Sequence, residues 1–205
     1  MLMLERWIRW LAVAAGMIVI LLPLVRVWRR RDAPRGHTSG SQSFLSRWPG
    51  IFSLAAAYVV LGVLLWKPLP VQLRSDIQRA AVLGGATLFF PGVGLYLWGF
   101  SALGSMFGVS SSMSSELYGS HELIERGPYA FLRHPMYLGV LLAAVGAFLI
   151  FRTWAMTLYT PSAFGITLRA RREERLLEAA FGDRWRDYKA RVPAWLPKFG
   201  RRGNG

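Results

Sequence analysis

The feature that most constrains this chain is a succession of apolar runs, almost free of charge, each closed by basic or polar residues. A helix that crosses a bilayer needs roughly 20 predominantly apolar residues. The first run extends from about Trp10 to Val25 and stops at Arg26, Arg29, Arg30 and Arg31; the second extends from Trp48 to Trp66 and stops at Lys67 and Pro68. The third, from Ala80 to about Phe100, is rich in Gly and leads into a Ser-rich stretch ending near Ser115. Pro135–Phe151 and Trp154–Leu168 form a pair broken only at Arg152 and Thr153. The pattern predicts an all-α integral membrane protein of about five transmembrane helices, the last two a C-terminal helical hairpin. The first run ends in an Arg cluster rather than a small-residue cleavage site, so it reads as a span and not as a secretory signal.

Charge sets the expected orientation. The chain has 205 residues, 53% of them hydrophobic, and a net charge of +14. Its Lys and Arg residues concentrate in the 26–49 connection, the 101–135 segment and the tail from Arg169, whereas the opposite side receives Arg6, Arg9, Lys67, Arg74, Arg79 and Arg152. The positive-inside bias therefore predicts a multi-pass protein with its N-terminus outside and its C-terminus in the cytoplasm. Most of the excess charge reads as orientation signal and contact with anionic lipid headgroups; nucleic acid is not an expected partner. The absence of Cys excludes disulfides, thiolate metal sites and thiol nucleophiles. Three His, at 37, 121 and 134, are too few for a convincing zinc or haem site, so no metal is expected.

Functional side chains concentrate in two polar blocks that bracket the hairpin. The first, residues 120–139, contains a Gly127-Pro128 turn signal and a Pro135 suited to the first position of a helix, with His134 just before it. The second, Arg169–Phe181, reads as the cytoplasmic continuation of the fifth span and ends at Gly182, which suits a left-handed helix terminus. Arg169 and Glu173 stand one turn apart beside Glu174. Taken singly, Arg169 with Glu173 is an ordinary exposed pair worth about 0.3–0.5 kcal/mol, and Tyr129 and Tyr137 are ordinary interfacial aromatics. Two His, two Tyr, an Arg and a Glu pair together at the mouth of a membrane bundle read instead as a functional site.

The order His121-x-Leu123-Ile124, Gly127-Pro128-Tyr129, Arg133-His134-Pro135-x-Tyr137-x-Gly139, then a hairpin, then Arg169-x-x-x-Glu173-Glu174, Phe181-Gly182, Tyr188 and Val192-Pro193 resembles the isoprenylcysteine carboxyl methyltransferases and related phospholipid methyltransferases. The resemblance covers roughly residues 100–199. It implies a cytoplasmic S-adenosylmethionine site lined by His121, Glu122, Leu123, Ile124, Tyr129, His134, Pro135, Met136, Tyr137 and Glu173. Arg169 matches the family's ligand for the substrate carboxylate. The implied organisation is three N-terminal spans with a basic loop 26–49 (residues 1–100), a methyltransferase region (101–199) and a frayed tail (200–205). One departure is that a cofactor-contacting Gln of the family falls near Ser114.

The resemblance further implies carboxyl O-methylation of a lipid-like or prenylated substrate that enters from the bilayer. Methyl transfer from a sulfonium is an in-line displacement in which positive charge disappears, so positioning and exclusion of water matter most. A carboxylate nucleophile needs no base and would be held by Arg169 through a charge-assisted contact. An amine, as in a phospholipid N-methyltransferase, must first lose a proton, with His134 or Glu174 the candidate to take it. Membrane sterol reductases, which bind NADPH, share the Arg-His-Pro-x-Tyr-x-Gly portion. They commonly carry Asn at the position of Met136 and an acid at that of Val140, and both departures favour methyl transfer. A non-catalytic membrane scaffold would need no such concentration of polar side chains.

Overall fold

The structure is a computed structural model that describes residues 2–29, 48–104 and 122–196. His121, Ser114, most of the basic 26–49 connection, the Ser-rich stretch and the 200–205 tail lie outside the described residues. The described residues form seven α-helices: α1 (Leu2–Arg29), α2 (Trp48–Leu64), α3 (Ser75–Leu103), α4 (Pro135–Phe151), α5 (Trp154–Ala163), α6 (Ile166–Phe181) and α7 (Asp183–Arg191). A 3-10 turn at Gly127–Ala130 precedes α4, where the Gly-Pro signal predicted a turn. Among the described residues, Met3–Arg26 and Ser75–Leu103 are long and apolar enough to cross a membrane, and Pro135–Phe151 is a shorter apolar helix.

The centre of the fold is the seam between α3 and α4. Gly85, Gly92, Gly139 and Gly146 let the two backbones meet: a Cβ on Gly92 would lie 2.7 Å from Gly139 O and Ala143 N, and one on Gly139 would lie 2.6 Å from Gly92 O. Where lipid tails are as apolar as the side chains, such close approach holds helices together through van der Waals contact. Gly84 and Gly94, on the same helix, face open space. Ile8 and Ala12 of α1 complete a buried cluster with Val82, Phe89, Val93 and Ile150. Trp7, Trp10, Met17, Ile18 and Leu21 of α1 remain exposed, as suits helices that face lipid.

Helix ends differ from the sequence expectation where polar groups find partners. α1 begins at Leu2 rather than near Trp10, because Glu5 packs against α3, accepting from Gln78 Nε2 at 3.4 Å and pairing with Arg79 Nε at 3.9 Å. α4 covers the predicted run, and Arg152 ends it in the left-handed region (φ 47°) with Nη1 donating to Leu149 O at 2.9 Å. Thr153 caps α5, accepting from Met156 N at 3.3 Å. A short antiparallel bridge ties Thr153 to Pro68, so Lys67, Arg152, Glu5 and Arg79 gather at one end of the bundle.

The expected single run from Trp154 to Leu168 is interrupted. α5 ends at Ala163, and α6 starts at Ile166 after a tightened bend in which Phe164 N bonds to Pro161 O and Gly165 N to Ser162 O. Pro161 has no N–H to offer the preceding turn, and the i to i+3 bonds that follow redirect the chain. Gly182 does take a positive φ of 51°, but with ψ −121° rather than the left-handed helical value, because it closes α6 and opens α7 at the same residue. That region is open to Gly for lack of a Cβ.

Candidate functional site

The site forms where the start of α4 meets α6 at the end of the bundle opposite Arg152. Pro135 opens α4, leaving His134 just outside it in a non-helical conformation (φ −125°, ψ 52°) with its ring free to turn towards α6. His134 is 6% exposed, and its Nε2 lies 2.9 Å from Glu174 Oε1. One turn on, the Tyr137 hydroxyl donates to Glu173 Oε2 at 2.8 Å, and the Arg169 guanidinium faces the same hydroxyl. The His134 and Tyr137 rings stack, centroids 5.6 Å apart and 16° from parallel. Adjacent residues on a helix point about 100° apart, so Glu173 and Glu174 serve two different neighbours. Glu173 meets Tyr137; Glu174 meets His134 and Arg133.

A network of charge fixes the second of these contacts. Arg133 Nη1 approaches Glu174 Oε1 to 2.7 Å, and Lys189 Nζ stands 3.9 Å from Glu174 Oε2. The Arg133 contact is an ion pair by distance, but its N–H bonds are not aimed at the carboxylate, and Nη1 and Nε make no hydrogen bond. Burial pushes the Glu174 carboxyl up; the His134 hydrogen bond and the charges of Arg133, His134 and Lys189 outweigh it and hold the pKa below the ordinary carboxylate value. Glu174 is therefore ionised at neutral pH and can only accept, so His134 Nε2 carries a proton.

The tail returns to wall the site. Arg133 N donates to Pro193 O at 2.9 Å and His134 N to Ala194 O at 3.2 Å, which seats the Trp195 ring 5.3 Å from that of His134. Between them and α6 lies a cavity of about 380 Å³ lined by His134, Thr167, Ala170, Arg171, Glu174 and Trp195. α7 anchors the arrangement: Trp185, Tyr188 and Val192 pack with Leu123, and Tyr188 Oη donates to Tyr129 O at 2.7 Å. Burial, with Glu173, Tyr137, Tyr188 and Tyr96 nearby, pushes the Tyr129 phenol well above its ordinary value, so it stays a neutral donor.

The structure thus brings together Tyr129, His134, Tyr137, Arg169 and Glu173. It places the Leu123 side chain in the α7 cluster and Met136 against Tyr96 and Phe100, both as packing residues, while Glu122 is exposed. Pro135 is fully buried at the helix start, and Ile124 is half-buried. Sequence reasoning gave no role to Arg171 or Trp195 and carried Arg133 only as a member of the Arg-His-Pro motif, without its contact to Glu174. The signal for Trp195 was its place just after Val192-Pro193, where a proline ends helical structure and frees the chain to double back.

Residues 80–184, about half of the chain, match the phospholipid methyltransferase family model. The chain is 31% identical over 94 residues to the protein-S-isoprenylcysteine O-methyltransferase of Schizosaccharomyces pombe, a stretch that is 43% of this chain and 38% of that protein. It is also 33% identical over 81 residues to the cobalt-zinc-cadmium resistance protein CzcN of Cupriavidus metallidurans, covering 38% of this chain and 37% of that one. The chain therefore spans well under half the length of either relative, and the two carry different functional names. The stretch matched by the family model holds both helices of the α3–α4 seam and His134, Tyr137, Arg169, Glu173 and Glu174 of the polar corner, and by that stretch this protein, all-helical with two long apolar helices among its described residues, belongs to the phospholipid methyltransferase family.

Proposed function

We propose that the protein is an S-adenosylmethionine-dependent methyltransferase that acts on a lipid-like or prenylated acceptor at the membrane–cytosol interface, most readily as a carboxyl O-methyltransferase. The observation that carries this reading is the convergence of residues from two distant blocks, Tyr137 on Glu173 at 2.8 Å with Arg169 beside them, within a chain of this family. In the proposed topology five helices span the bilayer, with the N-terminus outside and the site, C-terminus and basic loops in the cytoplasm. The gathering of Lys67, Arg79 and Arg152 at the far end of the bundle supports that arrangement.

The residues present suit the cofactor. The cavity offers a cation for an amino-acid carboxylate in Arg171, an ionised Glu174 for an ammonium group, and the faces of Trp195 and His134 for a flat base or a sulfonium. His134 and Tyr137 at the start of α4 and Glu173 on α6 would hold the cofactor, with Tyr129 as a neutral hydroxyl donor. When bound, S-adenosylmethionine supplies the methyl group as a sulfonium. Arg169 holds the acceptor carboxylate in line and fixes its orientation, and Trp195 with the returning tail excludes water. The family name supports a second reading, phospholipid N-methylation. With Nε2 protonated towards Glu174, Nδ1 of His134 is then the atom left to take the proton of an amine.

The test is equilibrium binding of labelled S-adenosylmethionine to the purified full chain, with NADPH as a parallel ligand. Saturable binding that Glu173→Ala weakens by roughly tenfold or more is expected, as for loss of a hydrogen bond to a charged group. Binding of NADPH in its place would overturn the reading. Arg169→Ala should raise KM for a carboxylate acceptor far more than for an amine, and equal effects would remove the carboxyl assignment.

A further inference from the structure

Residues 122–134 lead into α4 with no helix of their own apart from the turn at Gly127–Ala130, so the position of Tyr129 has to be fixed by its neighbours. Gly127 takes a positive φ of 62° and sets the turn against the end of α3, where a Cβ on it would lie 3.1 Å from the Ala102 Cβ. α7 holds the segment from the other side. Leu123 packs with Trp185, Tyr188 and Val192, Glu125 pairs with Arg184 and Arg191, and the Tyr188 hydroxyl donates to Tyr129 O at 2.7 Å. Tyr188 lies beyond residues 80–184, the stretch that matches the family model.

These contacts differ in what they fix. Leu123 and Glu125 stand before the turn, and the arginines that pair with Glu125 are exposed to water that screens them. The Tyr188 contact falls on Tyr129 itself. The turn leaves the Tyr129 carbonyl open, because Leu132 N goes back to Pro128 O at 3.0 Å and Arg133 N goes to Pro193 O at 2.9 Å. A backbone carbonyl turned into the protein needs a donor. Tyr188 supplies one from a helix: its side chain is 2% exposed and packs on Trp185 with ring centroids 5.5 Å apart. Holding that carbonyl fixes the peptide plane after Tyr129, and with it the direction of the phenol towards Tyr137 and Glu173.

We infer that Tyr188 is a positioning residue of the site: through the Tyr129 carbonyl it holds the Tyr129 phenol where that hydroxyl donates to the bound cofactor beside Tyr137 and Glu173. α7 then sets the geometry of the site as well as packing against it. The identity of the ligand as S-adenosylmethionine rests on the methyltransferase reading.

Tyr188→Phe tests this, since it removes one oxygen and keeps the ring that packs with Trp185 and Leu123. Fluorotyrosine is placed at position 129 of the full chain in detergent and, as a remote control, at position 159 on α5, and fluorine NMR spectra are recorded without ligand. Tyr188→Phe should shift or broaden the resonance of position 129 and leave that of position 159 unchanged. No change at position 129 would overturn the proposal, and so would a change at both positions, which marks a general loss of structure. Binding of labelled S-adenosylmethionine is then measured for the wild type, Tyr188→Phe, Tyr129→Phe and the double variant. Tyr188→Phe should weaken binding about fivefold in the wild-type chain, the worth of about one hydrogen bond. On the Tyr129→Phe background it should weaken binding by less than about twofold, within the scatter of additive changes. The same loss on both backgrounds is what a merely structural role produces, and that result, or no loss on the wild-type background, would overturn the proposal. Failure of the wild-type chain to bind S-adenosylmethionine would overturn the methyltransferase reading, and the fluorine spectra would still decide whether Tyr188 sets Tyr129.

Discussion

The seam between α3 and α4 and the polar corner above it are neighbours along α4, yet they are held together by opposite means. In the seam, Gly85, Gly92, Gly139 and Gly146 bring backbone against backbone with no charge involved. In the corner, Arg133, His134, Glu174 and Lys189 come together through ion pairs and hydrogen bonds. The first depends on the volume of single atoms and is indifferent to pH or salt. The second tolerates changes of shape but depends on a carboxylate staying ionised. α4 joins them: its glycine face fixes the helix, and its first turn then presents His134 and Tyr137 at set positions.

The largest effect should come from adding one carbon to the seam. Gly92→Ala puts a Cβ 2.7 Å from the α4 backbone, where no side chain can yield, and should cost about 3 kcal/mol or more by overpacking. Gly94→Ala, two residues away and facing open space, should be neutral or stabilising by up to about 1 kcal/mol through helix propensity. Unfolding of the two variants in detergent, followed by helical signal, checks the contrast. Similar stabilities would mean that α3 and α4 are not in backbone contact.

Glu174→Ala should rank next. It leaves the side chains of Arg133 and His134, 11% and 5% exposed, without their carboxylate. Removing one partner of a fully buried pair costs roughly 3–5 kcal/mol, and the partial exposure of Glu174 lowers the expected loss to about 2–3 kcal/mol. Glu174→Gln keeps an acceptor for His134 and should cost less. Because the folded pKa of Glu174 is depressed, its contribution is complete above the unfolded value near 4.5 and is lost as the pH falls through the folded value. The stability difference between wild type and Glu174→Gln should therefore hold from pH 7 to about 5 and shrink below 4.5. A difference that is constant down to pH 3 would mean that Glu174 is not the ionised member of the network.

The two regions also differ in how far the sequence discloses them. α4 could be bounded from residues alone, since Pro135 starts it and the charge of Arg152 ends it, and α2 likewise begins at Trp48. Gly85 and Gly92 could not be told from Gly84 and Gly94, because rotation of α3 about its axis is set by α4 and leaves no mark on α3 itself. The early start of α1 was hidden because Glu5 and Arg9 look like the end of an apolar run until Gln78 and Arg79 appear opposite them. In the corner, Tyr137, Arg169 and Glu173 were legible as a motif in fixed order. The roles of Arg133, itself a member of that motif, and of Trp195 were not, since they depend on the tail doubling back to bond at residues 133 and 134, a contact between segments some sixty positions apart.

The smallest effect tests where the corner ends. Glu125 pairs with Arg191 Nη2 at 2.9 Å and Arg184 Nε at 3.4 Å, contacts as short as those of Glu174, but both arginine side chains are more than 60% exposed. Distance alone would rank the two carboxylates together; solvent separates them. Water and counter-ions screen the Glu125 pairs within a Debye length of about 8 Å at physiological salt, and each such pair is worth roughly 0–1 kcal/mol. Glu125→Gln should thus lower the melting temperature slightly at low salt and not at all at about 1 M salt, where the Debye length falls to roughly 3 Å. The loss from Glu174→Ala should survive the same salt, because the groups it strands are covered by protein. If both losses vanish at high salt, the corner is a surface network and its geometry is held by α7 packing alone. If both persist, Glu125 belongs to the protected network, and the 122–126 segment is pinned by charge as firmly as His134.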